Sequence, residues 1–358
     1  MCPFLSLVVM VALNYDIAMK KRFGLVFLTP FILASCGVAK ESTYSSSTLV
    51  YGSFFSWKYV ASKDDCSKDI YDLVNKLNYL ADPYNEYMGS SNLYRVNHTH
   101  DEVTVDADLF DLVKTAVDLY EKTEGNFNPY MGKITSLWKT TLFGAADDLL
   151  FEGPSVSSIE DAKALIPALL EEVKGTSVEL DETKQTIKRI GDGYIDLGGL
   201  TKGYSVERAE LILEGNDVKQ YLINGGQSSL GLGQLADNGK FKISLMYSET
   251  ESENRFSLGE IDTSTSAVYE QFVTVEDVTY SHIINPHTGM PLTDYSMAFL
   301  VGEDSALLDA FSTSCMIAGP EKSEEWAKKY NFTYSLYKDE GGYTKLVAES
   351  EELSKVRI

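Results

Sequence analysis

Apolar positions along this chain of 358 residues fall at helical spacing in two clear windows. Ile70, Leu73, Val74, Leu77 and Leu80 form one stripe; Leu109, Leu112, Val113, Ala116, Leu119 and Tyr120 form another, which Gly125 closes. Both predict amphipathic helices. Thr176 to Ile190 reads as a hairpin turning at Asp181-Glu182, and the alternation of Phe241, Ile243, Leu245 and Tyr247 predicts a half-buried strand. Tyr221 to Ile223 reads as another strand, and Ser305 to Ile317 as a helix stopped by Gly319-Pro320. Helices and antiparallel strands are mixed throughout, which favours an α+β fold over a doubly wound parallel sheet. No short-period repeat is visible, although a divergent duplication of two halves would leave no trace at this level.

The N-terminus carries a different pattern. Met19-Lys20-Lys21-Arg22 precedes an apolar run from Phe23 to Leu33, then Ala34-Ser35-Cys36-Gly37. The run is shorter than the roughly 20 residues that span a bilayer, so it reads as a removable signal, similar to a bacterial lipoprotein signal in which Cys36 is lipidated. On this reading translation starts at Met19, residues 1–35 are signal, 36–48 form a lipid-anchored tether, and 49–358 form the functional domain. The Ser-rich segment Val38 to Thr48 lacks apolar periodicity and reads as that flexible tether. The expected location is the outer face of a bacterial cytoplasmic membrane. The remaining cysteines, Cys66 and Cys315, lack CxxC spacing and read as buried thiols, with a disulfide the alternative.

Acidic residues outnumber basic ones 53 to 31, for a formal net charge of -22. Without a basic patch this argues against nucleic acid, and an anionic small ligand would need a lysine, a helix N-terminus or a divalent cation. Tyr194 to Arg208 (YIDLGGLTKGYSVER) offers the first two: a short strand ending in Asp196, a glycine turn, and Lys202-Gly203 opening a helix to Leu213. That arrangement can hold phosphate, or be an ordinary strand-turn-helix connection. In the Ser305 helix, Asp309 and Thr313 lie one turn apart on one face, an oxygen pair suited to a hard cation such as magnesium. A solvent-facing Asp and a self-bonded Thr are the bland alternative. Gly231-Leu-Gly-Gln-Leu-Ala236 fits a dinucleotide fingerprint, but the turn signal Asp237-Asn238-Gly239 replaces the required helix, so it reads as a Gly-rich hairpin. His98 and His100 could chelate as an HxH pair or sit in a solvent-facing turn.

Taken in order, Gly125-Asn126-Phe127-Asn128-Pro129, IDLGGLTKGY at 195–204, NGG at 224–226, HIINPHTG at 282–289 and DAFST at 309–313 resemble the FAD:protein FMN transferase (ApbE) family. The resemblance runs from about Tyr51 to Gly319. It implies an α+β, T-fold-like duplication of two related halves with FAD in a cleft between them. It implies magnesium-dependent cleavage of FAD to AMP, with FMN passed as a phosphoester to a Ser or Thr of an acceptor protein, such as a membrane redox subunit. The alternatives are a magnesium-dependent FAD pyrophosphatase and a non-catalytic FAD-binding lipoprotein. Carried over residue by residue, the metal ligands are Asp309, Thr313 and the Gly199 carbonyl, with Ser312 as a further candidate. FAD contacts are Tyr51, Tyr87, Asn126, Phe127, Asn128, Asp196, Lys202 and the backbone at Ile283, and His282 is the catalytic residue, taking the proton from the incoming hydroxyl or stabilising the phosphoryl group. Asn128 and Asn285 stand where the family has Asp, Ala267 where it has Gly, Glu270-Gln271 where it has Arg, and His287 where it has Arg or Lys.

Overall fold

A computed structural model describes residues 41–85, 92–143, 156, 158–245, 254–340 and 344–358. Its centre is an eight-stranded sheet, in spatial order Ser42–Val50, Ser53–Ala61, Tyr221–Gly225, Ser229–Leu232, Ile261–Ala267, Met297–Gly302, Thr333–Asp339 and Thr344–Glu349. All its pairings are antiparallel. The order repeats: each block of four strands runs strand, strand, helices, strand, strand along the chain. The two blocks join where Ile261 faces Leu232. This is the duplication that residue spacing could not reveal.

Helices cover one face of the sheet. Ser67–Leu80 buries Ile70, Val74, Leu77 and Leu80, as its stripe predicts. Together with Val206, Ala209 and Leu213 of the helix Thr201–Gly215, it packs on Phe55, Trp57 and Ile223. A larger core joins the Ser305–Ala318 helix to the helices Ala107–Lys122, Gly132–Phe143 and Ile159–Lys174. On the opposite face, Leu230, Leu232, Phe299 and Val301 are closed off by Phe256, Leu258 and Leu353. The Thr176 to Ile190 hairpin forms as the strands Ser177–Asp181 and Thr186–Ile190.

Several expectations need correction. Ser42–Thr48 is not tether but part of the first strand, in continuous register with Ser53–Ala61. An edge strand exposed over most of its length needs no apolar alternation, so its serines hid it; the Tyr51-Gly52 turn, with φ of 54° and 72°, sets the register. The domain therefore includes residues from Ser42, seven positions before 49. No strand ends in Asp196: that segment is tied by Asp196 N–H to the Pro129 carbonyl and by Ile195 N–H to Asn97 Oδ1 instead of a ladder. The strand at Phe241 ends at Ser244, and Tyr247 lies outside the described residues. Gly231 sits inside the second strand of a hairpin with Tyr221–Gly225 and also pairs with Ile261–Ala267, so the Gly-rich stretch is not a dinucleotide loop, and Phe241–Ser244 pairs with Arg255–Leu258 and not with it. Cys66 and Cys315 are free and buried in separate clusters, so no disulfide forms between them.

Candidate active site

The site forms at the seam between the two halves. The Thr201–Gly215 helix of the first half and the Ser305–Ala318 helix of the second touch at Gly203, where a Cβ would lie 2.3 Å from the Ser305 carbonyl oxygen and 2.5 Å from Asp309 Cβ. Only a residue without a side chain permits that approach. The closeness lets Gly203 N–H donate to Asp309 Oδ2 at 2.8 Å, pairing one of the free amides of the helix's first turn with a carboxylate. Asp309 Oδ1 accepts from Ser264 Oγ at 3.3 Å. Burial raises the Asp309 carboxyl above its usual range, while Lys202, Gly203 N–H and Ser264 pull it back and Glu270 adds to the rise.

Thr313 and Ser312 converge on one hydroxyl of the second half. Ser266 Oγ lies 2.8 Å from Thr313 Oγ1 and 2.6 Å from Ser312 Oγ, while Ser312 Oγ also donates to its own helix at the Asp309 carbonyl. Asp262, Ser264 and Ser266 alternate on the inward face of their strand, opposite Gly302, Leu300 and Ala298. Ser264 and Ser266 were not among the sequence candidates; the signal was there, a strand with polar residues at every inward position, which a solvent-facing strand also shows.

Lys202 stands in the first turn of its helix, Nζ 3.8 Å from Glu270 Oε2. Burial raises the Glu270 carboxyl, and Lys202 opposes the rise. His282 is half-buried, with Nδ1 3.1 Å from the Gln271 carbonyl. Burial lowers its pKa to about 4, Lys202 and Lys139 push the same way, and the Gln271 carbonyl opposes them. The ring is therefore neutral near pH 7. With Nδ1–H donated to the carbonyl, Nε2 keeps its lone pair.

The glycine turn leans on the other wall: a Cβ at Gly199 would lie 3.6 Å from the ring of Phe127. Phe127 is buried, its N–H donating to Thr123 Oγ1. Asn126 Oδ1 meets His287 Nε2 at 3.1 Å, so two loops read as separate motifs are in contact. Other candidates also make bonds within the scaffold. Tyr51 is half-buried, its Oη 2.7 Å from Ser205 Oγ and donating to the Val74 carbonyl at 3.0 Å, so its hydroxyl is engaged between helices. Asp196 fixes the turn, accepting from Gly198 N–H at 2.8 Å and Tyr84 Oη at 3.0 Å. The Ile283 carbonyl is taken by Leu292 N–H. Tyr87 and Cys36 lie outside the described residues. His98 stacks on Tyr94 while His100 reaches Asp192, so the HxH pair is parted.

A match to a known family spans residues 51–336, from the Tyr51 turn into the seventh strand of the main sheet. The chain belongs to the ApbE family. A Klebsiella pneumoniae (strain 342) relative named FAD:protein FMN transferase is 25% identical over 266 residues, 72% of this chain and 73% of that one. The protein of that name from Salmonella typhimurium is 24% identical over 326 residues, covering 87% and 90%. Among solved structures, the flavin transferase ApbE from Vibrio cholerae aligns with a TM-score of 0.71 at 21% identity, over 88% of this chain and 100% of that one, which is a likeness of fold. Within an ApbE fold, two departures are structurally mild. Asn128 and Asn285 each accept a backbone N–H two residues on, from Tyr130 and His287, a turn that Asp would close equally well. Glu270 and His287 are different in kind: one holds Lys202 and the other holds the Asn126 loop.

Proposed function

We propose that this chain is an FAD:protein FMN transferase. It binds FAD at the seam, breaks the pyrophosphate, releases AMP and joins FMN through a phosphoester to a Ser or Thr hydroxyl of an acceptor protein. The observation that carries this reading is the meeting, at one helix N-terminus, of Lys202 of the first half and buried Asp309 of the second, with His282 near enough to feel the Lys202 charge, in a chain of this family. A helix N-terminus and a lysine attract phosphate oxygens. His282 Nε2 takes the proton from the incoming hydroxyl as its oxygen bonds to the FMN phosphorus; the bond from that phosphorus to the bridging oxygen breaks, and AMP carries the charge away. Phosphate oxygens beside the imidazole raise its proton affinity from the low value that burial sets. Phe127 and the Asn126–His287 contact form the wall that orients the flavin nucleotide.

The donor set also fits a hard cation. Asp309 and the Thr313 hydroxyl, one turn apart on their helix, supply only oxygen, the family resemblance adds the Gly199 carbonyl, and a buried carboxylate whose charged form is disfavoured gains by a cation. Magnesium bound there would neutralise charge on the pyrophosphate. Ser312 donates its proton to the Asp309 carbonyl, which leaves its oxygen lone pairs as a further candidate for the cation. The Met19 to Gly37 pattern supports a lipid anchor at Cys36 outside the cytoplasmic membrane.

The test incubates the protein with FAD, magnesium and acceptor protein. A flavin-fluorescent acceptor band that survives denaturation, with stoichiometric AMP, is expected. AMP with FMN and no such band means water is the acceptor and the protein is a pyrophosphatase; intact FAD after hours rejects both.

A further inference from the structure

Lys202 pairs with a carboxylate that no candidate ligand set contains. Glu270 closes the short helical turn Val268–Glu270 after the strand Ile261–Ala267, so it comes from the second half, while Lys202 comes from the first. Their charged atoms lie 3.8 Å apart, with 20% of the Lys202 side chain and 34% of the Glu270 side chain exposed, so a ligand can reach both. Among the described residues each is the other's only ion-pair partner. The separation is too long for a hydrogen bond, so the ammonium keeps its donors for another acceptor. Its stem passes beside the NGG turn, where a Cβ added to Gly226 would lie 3.2 Å from Lys202 Cδ. Asp309 feels the Lys202 charge without pairing with it.

We propose that Glu270 is the residue that sets affinity for the phosphates of FAD: it holds Lys202 before FAD binds, and the pyrophosphate must take the ammonium from it. The inference rests on the reading of this seam as an FAD site and deepens it. A lysine is a compact point charge, which two anions beside it have to share. The pyrophosphate therefore gains Lys202 only in part, and meets Glu270 as a like charge in the same step. Both effects weaken phosphate binding, and neither depends on the flavin ring. Glu270 thus limits how strongly the site prefers a flavin with phosphates to one without them.

The experiment titrates the full chain in EDTA with FAD and with riboflavin, which carries no phosphate, and follows flavin fluorescence. Expected for Glu270→Gln is an FAD Kd roughly tenfold or more below wild type, with a riboflavin Kd within about twofold of it. Glu270→Ala gives the same shift, so the result does not hang on the folding of one variant. Glu351→Gln removes an exposed carboxylate from the helix Glu351–Ser354, on the opposite face of the sheet, and leaves both constants unchanged. An FAD Kd that is unchanged or higher in the Glu270 variants overturns the proposal. Equal tightening of riboflavin overturns it as well, because pocket shape is then the cause, and equal tightening by Glu351→Gln does so because net charge is. Added magnesium separates this from the transferase reading: FAD held more tightly by the variant but never cleaved by either protein removes that reading and leaves the Glu270 assignment, and FAD that binds neither protein removes both.

Discussion

Gly203→Ala puts the seam to a quantitative test. The added carbon would lie 2.3 Å from the Ser305 carbonyl oxygen and 2.5 Å from Asp309 Cβ, against backbone that cannot swing aside. Ordinary contacts begin near 3.3 to 3.5 Å, so the helices must part by about 1 Å. That stretches the 2.8 Å bond from Gly203 N–H to Asp309 beyond hydrogen-bonding range. Overpacking costs about 1–3 kcal/mol, and loss of a bond to a buried carboxylate about 1.5–3. Alanine's better helix propensity returns about 1 kcal/mol. The net loss is about 2–5 kcal/mol, or a melting temperature lower by roughly 3–7 °C for a chain of this size. A shift of about 1 Å in Asp309 should also cut AMP release by ~10²-fold. Thermal unfolding followed by circular dichroism, with AMP release by chromatography, reads both effects. Gly215→Ala, in the same helix with nothing within 4 Å of its added carbon, should be neutral or slightly stabilising. If Gly203→Ala matches it in both assays, the close seam is wrong.

Other outcomes follow from the charges. Glu210 and Asp262 are buried together, and burial raises both carboxyls. A raised carboxyl contributes stability below its unfolded pKa near 4 and loses it as pH rises through the folded value, so Asp262→Asn should gain stability over wild type as pH rises from 5 to 9; parallel melting curves would contradict this. Because burial holds His282 at about 4, the acid limb of kcat/KM should fall well below the usual imidazole range, and His282→Gln should slow transfer by about 10²-fold or more; a limb near 6.5 that persists in the variant rules out the assigned base. His287→Ala removes one exposed hydrogen bond to the Asn126 loop, about 0.5–1.5 kcal/mol, and should weaken FAD binding about 2–10-fold in a fluorescence titration; an unchanged Kd removes that loop contact from the site.

The stripes at Ile70 to Leu80 and Leu109 to Tyr120 were legible because an amphipathic helix writes its burial into a period of 3.6 residues. The first strand was not, because an exposed edge strand leaves serines free of any period. Lys202 could be named because it opens a helix after a glycine turn, and Asp309 and Thr313 because helical spacing puts them on one face, while His282 took its role from the family motif alone. Their neighbours could not. Ser264 and Ser266 acquire meaning only when their strand lies beneath the Ser305–Ala318 helix, and Asn126 and His287 meet across 161 positions of chain.

Sequence by itself determined the mix of helix and antiparallel strand, the acidic surface and the motifs that carry the family resemblance. Those properties are local, fixed by spacing and residue type within a few turns of chain. Only the tertiary structure decided that two four-strand blocks share one sheet, that Gly203 closes their seam, that Tyr51 spends its hydroxyl between helices, and that His282 is held neutral. The reason is physical: burial, and the pKa it sets, belongs to whatever packs around a group, and those neighbours come from distant parts of the chain.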